Sequence, residues 1–122
     1  LDELKAFALP TVAMINGACM GGGCLLAMAC DLRYSVKAAR FSIPISKLGI
    51  VLDDANILRL ISLVGPAVAP ERLYTGVSIS ATEAEMVGLI NRALDPEDLP
   101  LYVNEICNSI YENGRASIFE AK

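Results

Sequence analysis

Residues 10–31, PTVAMINGACMGGGCLLAMACD, constrain this chain more than any other stretch. An apolar run over 11–15 meets Asn16-Gly17. Three residues later come Gly21-Gly22-Gly23, then a second apolar run and Asp31. A short continuous apolar run bounded by Pro and Asn-Gly predicts a buried strand. The run over 23–30 predicts a helix, apolar on every side and therefore buried on every side. Strand, tight turn, glycine-lined approach and helix place the backbone N–H groups of Gly21 to Gly23 at or near a helix N-terminus. Bare N–H groups there suit an anion or a developing oxyanion, and one such donor contributes roughly 3–4 kcal/mol in acyl-transfer sites. The same glycines equally suit close helix–strand packing.

Nucleotide motifs fail here on specific residues. GxGxxG is absent, because Gly17 is followed by Ala18-Cys19-Met20. Gly17 and Gly22 have P-loop spacing, but Gly23-Cys24 stand where Lys and Ser or Thr are required.

Composition bounds the rest. A length of 122 residues allows one modest domain. A 54% hydrophobic content and mean hydropathy of +0.49 supply a core, and leave apolar surface for partners. A net charge of −4 and a pI near 4.7 argue against a nucleic-acid partner. With no histidine, Ser-His-Asp and Cys-His catalysis and His-ligated metals are absent from the chain. Cys19, Cys24, Cys30 and Cys107 form no CxxC, which reads as free thiols in a reducing compartment, the cytoplasm or the mitochondrial matrix. Residues 6–30 carry no charge, but Pro10, Asn16-Gly17 and the glycine triplet break the run well short of the ~18–20 residues a membrane span needs. The acidic start LDELK is unlike a secretory signal.

The remaining elements follow in order. Residues 1–8 read as the end of a helix stopped by Pro10. Residues 32–36 alternate as a strand, 41–44 form a second extended piece, and 45–52 an apolar loop. Asp53 or Asp54 reads as the N-cap of a helix with Ile57, Leu58, Ile61 and Val64 at helical spacing, closed by Gly65-Pro66. Pro70-Glu71 open a further helix stopped by Gly76. Ser80 and Glu83 form a capping box, residues 89–94 a strand, and Asp95-Pro96 open a last helix striped by Leu99, Val103, Ile106, Cys107 and Ile110. Arg33, Arg40 and Arg59 read as surface or helix-end charges. Met14, Met20 and Met28 read as core, and Tyr74 and Tyr102 as core–surface boundary residues.

Residues 10–50 resemble the signature of the crotonase (enoyl-CoA hydratase/isomerase) superfamily: Pro, strand, Asn-Gly, three residues, glycine-rich helix start, Ala-Cys-Asp, Ala-Arg-Phe, Pro, Leu-Gly. Arg59-Leu60, Leu63-Val64-Gly65, Tyr74-Thr75-Gly76, Ile79-Ser80-Ala81, Glu83-Ala84 and residues 88–91 continue the match collinearly. The resemblance implies an α/β fold, a crotonase-like spiral of ββα turns. It is partial: residues 1–95 would be a portion of the spiral core and 96–122 the start of a truncated C-terminal helical region. It implies an acyl-CoA thioester substrate, with coenzyme A as part of the substrate and no separate cofactor, in fatty acid metabolism, and a homotrimer or dimer of trimers. Gly22 would be one of two N–H donors to a thioester enolate, the other coming from a segment that no part of this chain matches. Met20, Gly21, Leu25, Ile45 and Leu52 would face the substrate.

The departures narrow the chemistry. The two glutamates of hydratases fall at Leu25 and Ile45 here. Each such acid or base contributes on the order of 10²–10⁴-fold, and neither Leu nor Ile can transfer a proton. Asp53 matches a position that serves as base or nucleophile in some members, although an Asp just before a helical stripe is more often an N-cap, and the two roles can coexist. The family's Gly-Gly after it is Ala55-Asn56. The expectation is an isomerase-like or other lyase-type divergent enzyme. The alternatives are a non-catalytic acyl-CoA-binding or assembly member, and an inactive fragment.

Overall fold

A computed structural model describes all residues, Leu1–Lys122. After a short helix α1 (Asp2–Lys5), strands β1 (Val12–Ile15) and β2 (Cys19–Met20) lead into helix α2 (Gly22–Ala29). Strands β3 (Leu32–Val36) and β4 (Arg40–Ser42) follow, then helices α3 (Ile45–Leu48) and α4 (Asp54–Thr75). The chain continues through β5 (Ile79–Ser80), α5 (Ala81–Val87), β6 (Arg92–Leu94), α6 (Leu99–Glu112) and α7 (Arg115–Ala121).

Each ββα turn lays one strand on each of two small sheets. One sheet has the order β1-β3-β6 and the other β2-β4-β5. Successive turns pair in parallel, Val12 opposite Leu32 in the first sheet and Cys19 opposite Phe41 in the second. Only β5 runs antiparallel, against β4. This is the ββα spiral expected. Phe41, Met28, Leu60, Leu99 and Cys24 fill the interior between the sheets and helices.

Several local expectations are corrected. Helix α2 is not buried on every side: Cys24, Ala27, Met28 and Ala29 are buried, while Leu26 is 53% exposed. Its apolar outer face has no cover within the chain, and an apolar composition alone does not say what covers a helix. The 45–52 loop contains α3, because Pro44 at the N-cap has a φ already suited to a helix start. The helix after Asp53 closes at Gly65 as expected, where φ 89 and ψ 168 break the helical backbone inside α4. The next helical stretch begins at Pro66 and not at Pro70, because Pro66 already has the φ of a first helical position. Strand β2 has only two residues and no periodicity to reveal it. The capping box is half formed: Ser80 Oγ accepts the Glu83 N–H at 3.1 Å, with no return bond. Met14, Met20 and Tyr74 are exposed. Tyr102 is half-buried, edge-on to Tyr34 at 5.4 Å with the Arg92 guanidinium over its ring. No helix is long and apolar enough to cross a membrane.

Candidate functional site

Helix α2 is held at its C-terminal end. The Arg59 Nε donates to the Met28 carbonyl at 2.7 Å and its terminal amino group to the Cys30 carbonyl at 3.1 Å. Arg33, expected as a surface or helix-end charge, is buried at this helix end and donates to the Cys30 and Leu89 carbonyls, both at 2.7 Å. Two guanidinium groups thus satisfy carbonyls that a helix end leaves unpaired and complement the negative end of its dipole. Burial and the nearby Arg59 charge both push the Arg33 pKa below its usual value. No sequence spacing near α2 foretold this anchor, because its two arginines come from β3 and α4.

At the other end the N-cap is Gly21, with φ 54 and ψ −123, a backbone that side chains rarely accept. Its own N–H is already used, donating to the Ser42 carbonyl of β4 at 2.9 Å. The first intrahelical bond runs from the Leu25 N–H to the Gly21 carbonyl at 3.0 Å. The N–H groups of Gly22, Gly23 and Cys24 therefore have no acceptor within the helix, and no side chain caps them. Gly22 and Gly23 are exposed, and a Cβ at either would meet nothing within 4 Å. Close packing within this chain therefore does not require glycine at these two positions.

Met20 pairs with Ser42 across β2 and β4. Leu25 and Ile45, half-buried in the first turns of α2 and α3, pack against the core, and Leu52 is buried in it. No hydrogen bond ties Asp53 to this turn. Asp53 is the N-cap of α4, and its Oδ1 accepts from the Asn56 N–H at 3.1 Å and from the Asn56 Nδ2 at 2.7 Å. Sequence reasoning missed the Asn56 side chain as a partner, although its place three residues after an N-cap was a usable signal.

The cysteines are all free. Cys24, third in α2, has its thiol pushed far above the ordinary range by hydrogen bonding with Cys19 and by burial. A separate apolar cavity of about 640 Å³ lies between the N-terminal segment and helices α6 and α7. Leu9, Pro10, Ile110 and Phe119 line it, and neither Gly22 nor Asp53 borders it.

The enoyl-CoA hydratase/isomerase family model matches residues 1–122. The chain belongs to this family. This enoyl-CoA hydratase/isomerase family chain is 39% identical over 115 residues to a crotonyl-CoA hydratase of Syntrophomonas wolfei, covering 94% of the chain and 44% of that relative. It is 34% identical over 122 residues to a carnitinyl-CoA dehydratase of Salmonella typhi, covering 100% of the chain and 47% of the relative. Among solved structures, an enoyl-CoA hydratase/carnithine racemase from Magnetospirillum magneticum superposes with a TM-score of 0.93 at 31% identity, over 98% of this chain and 45% of that one. The family chain thus spans less than half the length of these relatives.

Proposed function

We propose that this chain carries the thioester-polarising element of an acyl-CoA enzyme, with Gly22 N–H donating to the substrate carbonyl oxygen. The observation that carries the reading is the open, uncapped N-terminus of α2, where Gly22 has a free donor and no atom within 4 Å of a would-be Cβ. A donor fixed before charge develops stabilises an enolate more than its parent thioester, which is the requirement for catalysis. The names of the relatives, a crotonyl-CoA hydratase and a carnitinyl-CoA dehydratase, support an acyl-CoA substrate.

The side chains beside that donor favour proton relocation over hydration. Leu25 and Ile45 present no acid or base to activate water. Asp53 is the acid/base of this reading. Its N-cap role occupies Oδ1 alone, and Oδ2 makes no hydrogen bond, so cap and base coexist. Oδ2 takes a proton from one carbon of the acyl chain and returns it to another, while Gly22 N–H holds the intermediate enolate. Met20, Gly21, Leu25, Ile45 and Leu52 shape the acyl side of the site. Assembly into a homotrimer or dimer of trimers is part of the proposal, and exposed Leu26, Val51 and Met86 offer apolar surface to a partner chain.

The test uses the full-length protein and a panel of enoyl-CoA thioesters, following double-bond migration and hydration separately. The expected result is migration without efficient hydration, lost in Asp53→Asn. Rapid hydration, or turnover unchanged in Asp53→Asn, contradicts the reading. The apolar residues Leu25 and Ile45 at both expected glutamate positions, with Ala55-Asn56 after Asp53, favour a second reading, a binding member of the family without turnover. Calorimetric binding of a CoA thioester with no product from any substrate would establish it.

A further inference from the structure

The start of α4 carries a hydrogen-bond arrangement that capping alone does not require. An N-cap carboxylate needs one oxygen for one first-turn N–H, and Asp53 Oδ1 accepts the Asn56 N–H at 3.1 Å. In a capping box, the side chain at the third helical position returns a bond to the N-cap N–H. Asn56 holds that position and turns the other way. Its Nδ2 donates to the same Asp53 Oδ1, at 2.7 Å. Asn56 is only 8% exposed, and its own Oδ1 is buried with no hydrogen-bond partner. A buried acceptor left unpaired destabilises a fold, and such groups are rare enough to need an explanation. The product of the arrangement is a carboxylate with one oxygen held twice and the other free.

We infer that Asn56 is a positioning residue for Asp53, fixing the carboxylate so that Oδ2 alone is presented for proton transfer. The inference rests on the acid/base reading of Asp53 given above. Two donors converging on Oδ1 prevent the two oxygens from exchanging places by χ2 rotation unless both bonds break. The lone pairs of Oδ2 are therefore oriented before substrate arrives, and orientation of this kind contributes directly to rate. The amide is neutral and so holds the carboxylate without adding a charge beside it. The step itself is balanced, since Oδ2 accepts one proton from carbon and gives one back, and no electrons leave the substrate.

The test compares wild type, Asp53→Asn, Asn56→Leu, Asn56→Ala and the double variant Asp53→Asn/Asn56→Leu in the full-length protein. The readouts are kcat and KM for enoyl-CoA double-bond migration and the denaturant midpoint. Asn56→Leu keeps the volume and removes both the donor and the unpaired acceptor. It is expected to lower kcat about tenfold, leave KM within about twofold, and leave the midpoint unchanged or raised. The double variant is expected to be no slower than Asp53→Asn alone. Asn56→Ala reports the same contrast if the leucine variant does not fold. A lowered midpoint with wild-type kcat in both Asn56 variants, while Asp53→Asn is slow, overturns the inference and leaves the proposed function standing. Full turnover in Asp53→Asn, or none in wild type, overturns both.

Discussion

Gly22→Ala separates what the glycine does for the fold from what it does for the site. Gly22 opens α2 with a φ that is not positive, and an added Cβ meets nothing within 4 Å. The fold therefore accepts alanine without strain. A helical Gly→Ala change at a compatible position stabilises by about 0.4–1 kcal/mol, partly through the unfolded chain. At the first helical position about 0.5 kcal/mol is expected. The site should respond in the opposite direction. Cα–Cβ bonds tilt toward the helix N-terminus, the same direction in which first-turn N–H groups point. The new methyl thus intrudes on the space in front of the donor, and a ligand displaced by about 1 Å loses about 100-fold in rate. Gly21→Ala is the contrasting control, because its φ of 54 and ψ of −123 make the substitution cost about 1–3 kcal/mol of stability. Denaturant unfolding and enoyl-CoA turnover of the full-length variants supply both readouts. A loss of 2 kcal/mol or more in Gly22→Ala would show that the glycine serves packing. Wild-type kcat/KM in a stable Gly22→Ala would show that nothing reacts in front of that N–H.

Other predictions concern the scaffold. Arg33→Met removes the donors to the Leu89 and Cys30 carbonyls and should cost about 2–3 kcal/mol in denaturant unfolding; a loss under about 0.5 kcal/mol would contradict the anchoring role. Burial acts to raise the Asp31 pKa, but the Lys122 ammonium and the Thr11 N–H and hydroxyl together hold it below its ordinary 3.8. A depressed carboxylate stabilises fully above its unfolded pKa, and that contribution disappears as pH falls through the lower folded value. Asp31→Asn should therefore flatten the acid limb of the stability–pH curve below about pH 4, and an unchanged limb would contradict the pairing. With a maleimide at neutral pH, exposed Cys107 should react first and buried, proton-retaining Cys24 last; mass mapping that reverses this order would refute the burial argument.

The elements around the glycines were legible because their punctuation is local, while the spiral that joins them came from the family resemblance. Pro10, Asn16-Gly17 and the glycine triplet bracket β1 and α2, and Ser80 and Gly88 bracket α5. The N-cap role of Asp53 was legible for the same reason, since the accepting cap and its N–H donor lie three residues apart. What failed depends on contacts distant in sequence. Arg33 read as a surface or helix-end charge, and nothing nearby in sequence showed that β3 would bury it under the Leu89 carbonyl, 56 residues away. Leu26 looked like core because its neighbours are apolar, yet nothing in the chain covers it. The pairing of β2 with β4 is set by the spiral and not by two residues of propensity. At the proposed site, the apolar residues Leu25 and Ile45 were read by position, where the family resemblance expects glutamates. The free N–H at Gly22 and the turned amide of Asn56 needed coordinates.

The most direct measurement is the amide resonance of Gly22 in full-length protein labelled with ¹⁵N-glycine, assigned by its loss in Gly22→Ala and titrated with butyryl-CoA. The account predicts a downfield proton shift at Gly22 on thioester binding, absent when coenzyme A without an acyl group is added. Saturating butyryl-CoA that leaves the Gly22 amide unmoved would contradict it.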